Sequence, residues 1–350
     1  MLAGSSGEFR VMGRKVVAVL MGGVSSEHDV SINSGRMVAA NLDPDKYDVI
    51  PVVITLDGAW AFGDEEPVSI FDAVHELKAR CVDCVFIALH GPFGEDGRIQ
   101  GMLDLLGLPY TSSGCDASAI AMDKIRSKAV VRALDIRVPR HMVIEQATWR
   151  ADPELVASQA EEQLGFSCVI KSPCQGSSLG MAISPTAAEF PADMDKVFEY
   201  GNVVMIEEYI PGIELTCGVL DVEPGGMPQA LPVTQIMPVT SSFFDYEAKY
   251  TPGATEEITP ADITRELTAR VQEIAVRAHR VIGCSIWSRS DFLVAGHEDP
   301  VWIEVNTVPG MTKTSLYPQA AAAAGISYAE LVGLFVEGAI ARKALQNHRL

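Results

Sequence analysis

Ile303-Glu304-Val305-Asn306-Thr307-Val308-Pro309-Gly310-Met311-Thr312, with Arg289-Ser290-Asp291 upstream, is the stretch on which the reading of this chain turns. Glu304 and Asn306 are two residues apart, so on a strand both side chains point to one face. Asp291 belongs to the apolar-flanked segment 286–294, which predicts a neighbouring strand, and His297-Glu298-Asp299-Pro300 supplies a turn to join the two as a hairpin. Two carboxylates and one amide oxygen would then converge. Such a set suits a hard cation like Mg²⁺, which is held by few protein groups and completed by nucleotide phosphates. The alternative is a pair of ordinary strands with solvated acids, because charged residues normally sit outside. The rest of the chain weighs against that alternative.

With 350 residues and 48% hydrophobic content, the chain is long enough for a large core and two or three domains. No apolar run approaches the ~20 residues that span a bilayer. Residues 1–14 lack an apolar signal region and read as a disordered tail. The net charge of −19 argues against nucleic acid or an anionic membrane as a main partner. Seven cysteines, an odd number scattered along a large chain, fit a reducing cytoplasm better than a disulfide framework. Cys81 and Cys84 form a C-x-x-C with no second pair at zinc-ribbon spacing, so they read as small residues entering a strand.

Residues 15–20 form an unbroken apolar run, as in a buried parallel strand. A Gly22-Gly23-Val24-Ser25-Ser26 turn follows, then a helix over 27–42 with Ser25 or Ser26 as its cap. Strands are predicted at 49–54 and 84–89 and a helix at 99–106. This alternation gives an α/β layer with helices on both faces of the sheet. Gly22-Gly23 and His90-Gly91 lie at strand ends, where such sheets bind ligands. From 116 the pattern changes to α+β: a helix over 117–134, strands at 168–171 and 181–183, a helix at 192–199 and a strand at 203–208. Further strands are expected at 214–221, 230–238, 285–294 and 300–305, with helices at 260–282 and 327–346. The polar, aromatic stretch 241–257 reads as a lid, mobile without ligand. The expected organisation is a substrate domain over 15–115, a central subdomain over 116–207, and a third subdomain over 208–350 with the metal and acceptor site.

Lys171-Ser172-Pro173-Cys174-Gln175-Gly176-Ser177-Ser178-Leu179-Gly180-Met181 places a lysine at a strand end before a turn whose backbone N–H groups could cradle phosphate. A plain hairpin turn fits equally well, and the sequence is not a Walker A loop. Met122-Asp123-Lys124 offers a second candidate lysine. The segment from Val204 to Glu214 reads as a strand, a crossing linker and an acid, a form that suits a nucleotide hinge.

These segments, in this order, resemble the ATP-grasp superfamily and, within it, the D-alanine–D-alanine ligase family. The resemblance runs from Lys15 to about Ala341. It is carried by Gly22-Gly23-x-Ser25-x-Glu27, His90-Gly91-x-x-Gly94-Glu95-Asp96-Gly97, Met122-Asp123-Lys124, Gly176-Ser177-Ser178-x-Gly180, Asp245-Tyr246-Glu247-Ala248-Lys249-Tyr250, and Glu304-x-Asn306-Thr307-x-Pro309-Gly310-Met311-Thr312. It implies an ATP-grasp fold with a Rossmann-like parallel-sheet domain in front. It also implies ligation of two D-alanines through an acyl phosphate, for peptidoglycan precursors. Lys124 and Lys171 would contact the α/β-phosphates and Lys249 the γ-phosphate. Asp291, Glu304 and Asn306 would hold two Mg²⁺ ions, with Mn²⁺ as an alternative. Arg289 and the Gly310 N–H would stabilise the tetrahedral oxyanion. Glu27 would pair with the first substrate's ammonium, with His90 nearby, and Ser177 and Tyr250 would link to Glu27. Ser315 would take the second substrate's carboxylate beside Leu316. Glu207 would lie at the adenine and Glu214 at the ribose, although strand register decides between Glu207 and Glu208. A homodimer is implied by the resemblance alone.

The chain departs from the family pattern at Ser172-Pro173-Cys174-Gln175, which lacks the usual charged pair, and at Ser288 and Ser290, which flank Arg289. Competing readings keep the fold but change the acceptor to D-lactate or D-serine, or make the protein a non-catalytic nucleotide binder. A dinucleotide-binding dehydrogenase fits poorly, since Gly22-Gly23-Val24-Ser25 is not G-x-G-x-x-G.

Overall fold

The computed structural model describes residues 13–176, 179–238, 255–296 and 299–347. Lys15–Gly22 (β1) is buried at every residue but the first. It can be so because it is the inner strand of a sheet: Tyr47–Ile54 (β2) pairs with it in parallel on one side. Trp60–Phe62 (β3) extends the far edge of β2, and Cys84–Ile87 (β4) pairs with β1 in parallel on the other side. The expected parallel sheet is formed by β2, β1 and β4, and β3 adds an antiparallel edge to it. Three helices belong to this part: His28–Asn41 (α1), Ile70–Ala79 (α2) and Arg98–Leu106 (α3). The α1 N-cap position is Glu27, not Ser25 or Ser26. Ser25 instead accepts from the Glu27 N–H at 3.2 Å and donates to the His90 carbonyl at 2.7 Å, which ties the turn to the end of β4. Arg14, the last residue of the stretch expected as a tail, pairs with Asp48 at 2.5 Å.

The helix expected over 117–134 is two helices, Cys115–Met122 (α4) and Lys124–Arg132 (α5). Asp123 breaks it: its backbone is extended, and its carboxylate accepts from the N–H groups of Ile125 and Arg126 at 3.0 and 3.1 Å. An Asp at an N-cap offers the first turn a competing partner, and here a new helix starts from it. Next come His141–Glu145 (β5), Gln146–Ala151 (α6), Pro153–Gln163 (α7), Cys168–Lys171 (β6), Met181–Ser184 (β7), Phe190–Phe198 (α8) and Val203–Glu208 (β8). Their four strands form an antiparallel sheet in the order β5-β8-β6-β7.

The third sheet is antiparallel. Ile213–Asp221 (β9), Gln229–Ala230 (β10), Thr234–Pro238 (β11), Thr255–Ile258 (β12), Ile286–Val294 (β13) and Val301–Asn306 (β14) pair in the order β12-β11-β9-β13-β14, with β10 beside β9. The last three residues of the stretch expected as a lid, 255–257, thus belong to a strand, and the strand expected over 230–238 is two. Arg265–Ile282 (α9) begins five residues later than expected, at Thr264, whose hydroxyl accepts from the Leu267 N–H at 3.1 Å. Leu316–Ala323 (α10) and Tyr328–Asn347 (α11) close the chain.

The last helix couples the first and third sheets. Phe335 of α11 stacks on Trp287 of β13 with ring centroids 4.5 Å apart, and lies 6.3 Å from Phe86 of β4. Tyr317 of α10 meets Trp287 edge-on at 5.1 Å. The apolar sequence of α10 and α11 is explained by this burial. Among the described residues no single helix is long and apolar enough to cross a membrane, and these two are bent by 102° at their junction. Phe335→Ala is expected to destabilise the protein by roughly 3–5 kcal/mol, the range for emptying a large core site. Urea unfolding would test this; a loss below about 1 kcal/mol would mean that the aromatic cluster does not join the two sheets.

Candidate functional site

The β13–β14 hairpin sets Asp291 opposite Glu304 and Arg289 opposite Asn306. All four side chains therefore share one face, as the two-residue spacing predicts. Arg289 donates to both Asp291 oxygens, at 2.8 and 2.9 Å, and the Asn306 amide donates to Asp291 Oδ2 at 3.2 Å. Burial opposes the charge on Arg289, but Asp291 and then Glu304 hold its pKa above the ordinary arginine range. The pairing shifts register just after Asp291. Ser288 and Ser290 point to the opposite face and are fully buried there. Ser288 hydrogen-bonds His279 at 2.7 Å, and Ser290 accepts from the Trp302 indole at 3.1 Å, so both departures from the family pattern are satisfied in the core.

Lysines approach this hairpin from α5 and β6. Lys124 sits 2.9 Å from Glu304 Oε2 and donates to the Gln175 carbonyl at 2.9 Å. Its backbone N–H donates to the Pro173 carbonyl at 3.0 Å, which fastens the 172–175 loop to the start of α5. Lys171 lies 2.6 Å from Glu207 Oε2. Lys128, not anticipated from the sequence, lies 3.1 Å from Glu207 Oε1 and also donates to the Ile303 carbonyl of β14. The signal was present: Lys128 is one helical turn beyond Lys124 and so on the same face. Burial pushes the Lys128 pKa down to about 8, with Glu207 opposing and Lys171 adding to the fall. Burial would raise Glu207, but Lys128 and Lys171 outweigh it and bring its pKa down to about 2. The register question is settled as geometry: Glu207 faces inward between the two lysines, and Glu208 faces out to Arg140 at 2.7 Å.

On the facing wall Glu27 is buried at the start of α1. Gly91 and Gly176 approach its carboxylate so closely that an added Cβ would lie 2.5 and 3.1 Å from Glu27 Oε2. His90 is buried, with Nε2 2.9 Å from Ser34 Oγ and Nδ1 3.2 Å from the Val308 carbonyl. A carbonyl can accept only, so Nδ1 carries a proton. Burial disfavours the imidazolium, yet Glu95 at 4.0 Å and Glu27 raise the His90 pKa on balance. Burial raises Glu95 as well. Ser34 also accepts from the Met311 N–H at 3.3 Å, so α1 grips the segment after β14. Ser315 turns its hydroxyl back to Thr312, 3.0 Å from the N–H and 2.8 Å from Oγ1, instead of capping α10.

These groups surround one cleft of about 310 Å³. Glu27, His90, Glu95 and Gly176 line it, as do Arg289, Glu304, Asn306, Gly310, Ser315, Leu316 and Glu257. A narrow extension of about 20 Å³ runs past Glu95, Lys124 and Glu304. Lys171, Glu207 and Glu214 do not line either space. Glu214 lies on β9 opposite Leu293 and Ile236. Ser177, Lys249 and Tyr250 lie outside the described residues, as does most of the expected lid. Sequence reasoning assigned no role to Lys128, Ser34, Glu95 or Glu257. Cys174 is exposed, and burial together with Asp123 raises its pKa, so it is not an activated thiolate.

Among the described residues no group of three or more His, Cys, Asp or Glu is arranged to hold an ion by itself. Asp291, Glu304 and Asn306 nevertheless fit Mg²⁺, which takes one or two carboxylates and completes its shell from phosphate and water. Arg289 and Lys124 hold those carboxylates in the structure.

Glu207 also has a readable signature in pH. Its pKa is depressed in the fold, so its stabilisation is full above the ordinary carboxylate range and is lost as pH falls toward about 2. Glu207→Gln, which leaves two buried lysines facing a neutral amide, is expected to cost roughly 3 kcal/mol at pH 7. Denaturant titrations should show the gap to wild type narrowing as pH falls from about 5 toward about 2. A gap independent of pH would rule out the charge as its cause.

The chain matches two family models, "D-ala D-ala ligase N-terminus" over residues 16–78 and 65–113 and "D-ala D-ala ligase C-terminus" over residues 130–337. It is 40% identical over 321 residues to the D-alanine--D-alanine ligase of Halalkalibacterium halodurans, covering 91% of this chain and 97% of that protein. The crystal structure of D-alanine--D-alanine ligase from Bacillus anthracis complexed with ATP superposes with a TM-score of 0.76 at 33% identity, over 95% of this chain and 99% of that one. The VanG D-Ala:D-Ser ligase from Enterococcus faecalis superposes with a TM-score of 0.78 at 30% identity, over 94% of this chain and 99% of that one. The chain belongs to the D-alanine–D-alanine ligase family.

Proposed function

We infer that the protein uses ATP to join two D-alanines into D-alanyl-D-alanine, through an acyl phosphate, as a step toward peptidoglycan. The observation that carries this is the cleft itself. A buried carboxylate, Glu27, and the Ser315 hydroxyl line one space together with Arg289, Glu304 and Asn306. Two zwitterions and a phosphoryl group need such a layout: an anion for an ammonium, a donor for a carboxylate, and cations for developing negative charge.

A carboxylate is a poor electrophile, and phosphorylation gives it a leaving group. In this reading Glu27 anchors the donor's ammonium, with the His90–Glu95 pair behind it. The Arg289 guanidinium and the Gly310 N–H stabilise the oxyanion formed when the acceptor's amine attacks. Lys124 and Lys171 take nucleotide phosphates by leaving Glu304 and Glu207. Mg²⁺ held by Asp291, Glu304 and Asn306 would supply charge neutralisation during phosphoryl transfer. Ser315 and Leu316 form the acceptor pocket. Glu207 and Glu214 serve the nucleoside, and Ser177, Lys249 and Tyr250 close the site.

Seven unpaired cysteines support a reducing, cytoplasmic setting. The three sheets support division into 15–115, 116–207 and 208–350, with the C-terminal helix α11 packing back on the first part. The acting unit is taken to be a homodimer. D-Serine as acceptor is the second reading, favoured by the likeness to VanG.

Phosphate release from Mg-ATP should depend on D-alanine and give the dipeptide by mass spectrometry, with D-serine and D-lactate weaker. Release that is indifferent to D-alanine would defeat the reading. Arg289→Ala is expected to lower kcat by about 10²–10³-fold, and a fall below about tenfold would remove Arg289 from the oxyanion site.

A further inference from the structure

The reaction brings two ammonium groups into one cleft, and the family pattern provides a carboxylate for the first alone. Four glutamates line the cleft: Glu27, Glu95, Glu257 and Glu304. Glu304 is paired with Lys124 at 2.9 Å, and Glu95 accepts from the Gly91 N–H at 3.1 Å and faces His90. Glu257 differs. Its hydrogen-bonding partner is neutral, the Gln319 amide at 2.5 Å, and among the described residues no lysine or arginine stands at ion-pair distance from it.

Its place is also defined. Glu257 lies on β12, opposite Ile236, and Gln319 is the fourth residue of α10. The same amide donates to the Thr314 carbonyl at 2.8 Å, one residue before Ser315. Gln319 thus fixes the Glu257 carboxylate to the turn that presents Ser315 and Leu316, and Glu257, Ser315 and Leu316 line the same cleft as Glu27. Burial disfavours the ionised form of Glu257, and the charge of Arg289 partly restores it. A partly desolvated carboxylate with a neutral partner, facing a cleft, is suited to an incoming cation.

We propose that Glu257 recognises the acceptor: its carboxylate accepts a hydrogen bond from the ammonium of the second amino acid, as Glu27 does for the first. This rests on the ligase reading above and deepens it. The acceptor is then held at two points, its carboxylate by Ser315 and its ammonium by Glu257. Amino acids are selected over 2-hydroxy acids, because a hydroxyl brings no charge to offset the carboxylate's desolvation. D-Serine keeps the ammonium and passes this filter.

The test is steady-state kinetics on the full chain with Mg-ATP and D-alanine, alone or with D-serine or D-lactate, the products quantified by mass spectrometry. For Glu257→Gln the acceptor KM should rise about 10- to 100-fold, the loss expected for one charged hydrogen bond. The KM for ATP should stay as in wild type, and the ratio of D-alanyl-D-lactate to D-alanyl-D-alanine should increase. A purely structural role would instead lower kcat for all acceptors alike and leave that ratio fixed. An unchanged acceptor KM and an unchanged product ratio overturn the proposal. Should the glutamine variant not fold, Glu257→Asp withdraws the carboxylate by one methylene. It should raise the acceptor KM several-fold while keeping the preference for amines, and a wild-type acceptor KM in that variant is equally fatal. A wild-type enzyme that forms no dipeptide overturns the ligase reading itself, and this proposal with it.

Discussion

Three buried charges hold the central sheet against the strand that carries Glu304 and Asn306. Glu207 of β8 and Lys171 of β6 belong to the central sheet, Lys128 belongs to α5, and Lys128 reaches across to the Ile303 carbonyl of β14. Each charge alone would be costly to bury. Together the two lysines bring the Glu207 pKa down to about 2, and the glutamate keeps the Lys128 pKa no lower than about 8. A buried pair is weak evidence of stability, since apolar replacements often do as well. Its stronger consequence is geometric. A charge with two fixed partners admits few arrangements, so the central sheet, α5 and β14 have one way to meet, and that way sets Lys124 beside Glu304.

Much of this was legible in the sequence because it depends on period and on chain order. The two-residue spacing of Glu304 and Asn306, with Asp291 on a neighbouring strand, was enough to place all three on one face. The apolar run at β1 announced an inner strand. His90, which lines the cleft from the N-terminal part, could be found because it follows a strand end, where an α/β layer leaves room for a ligand, whereas Glu27 came from the family resemblance.

What the sequence concealed has physical reasons too. Asp123 sits in a stretch whose apolar content supports one continuous helix; that its carboxylate would cap a new helix is a local competition which periodicity does not register. Lys128 reads as a solvated helix lysine until the fold supplies Glu207 from a strand 79 residues away. Glu257 was assigned to a lid because the stretch before it lacks periodicity. Its pairing with β11, and its contact with Gln319, come from long-range sheet order. The mixed character of the first sheet turns on three residues at its edge, too few to carry a pattern.

The electrostatics of the cleft explain why a chain of net charge −19 keeps its cations where it does. Among the described residues the cations lining the cleft and its extension are committed to carboxylates, Arg289 to Asp291 and Lys124 to Glu304, and behind them Lys171 pairs with Glu207. These pairs prevent the acids from repelling one another in the absence of ligand. They also define an exchange. On the proposed reading, a nucleotide would bring phosphate to Lys124 and a divalent cation to Glu304, so both halves of that pair would find new partners at once and neither would be left bare in a low-dielectric site. An anion or a cation arriving alone would free one half of a pair and strand the other. On the proposed reading, a site built in this way would favour the metal–nucleotide complex over either component, through the pairing itself.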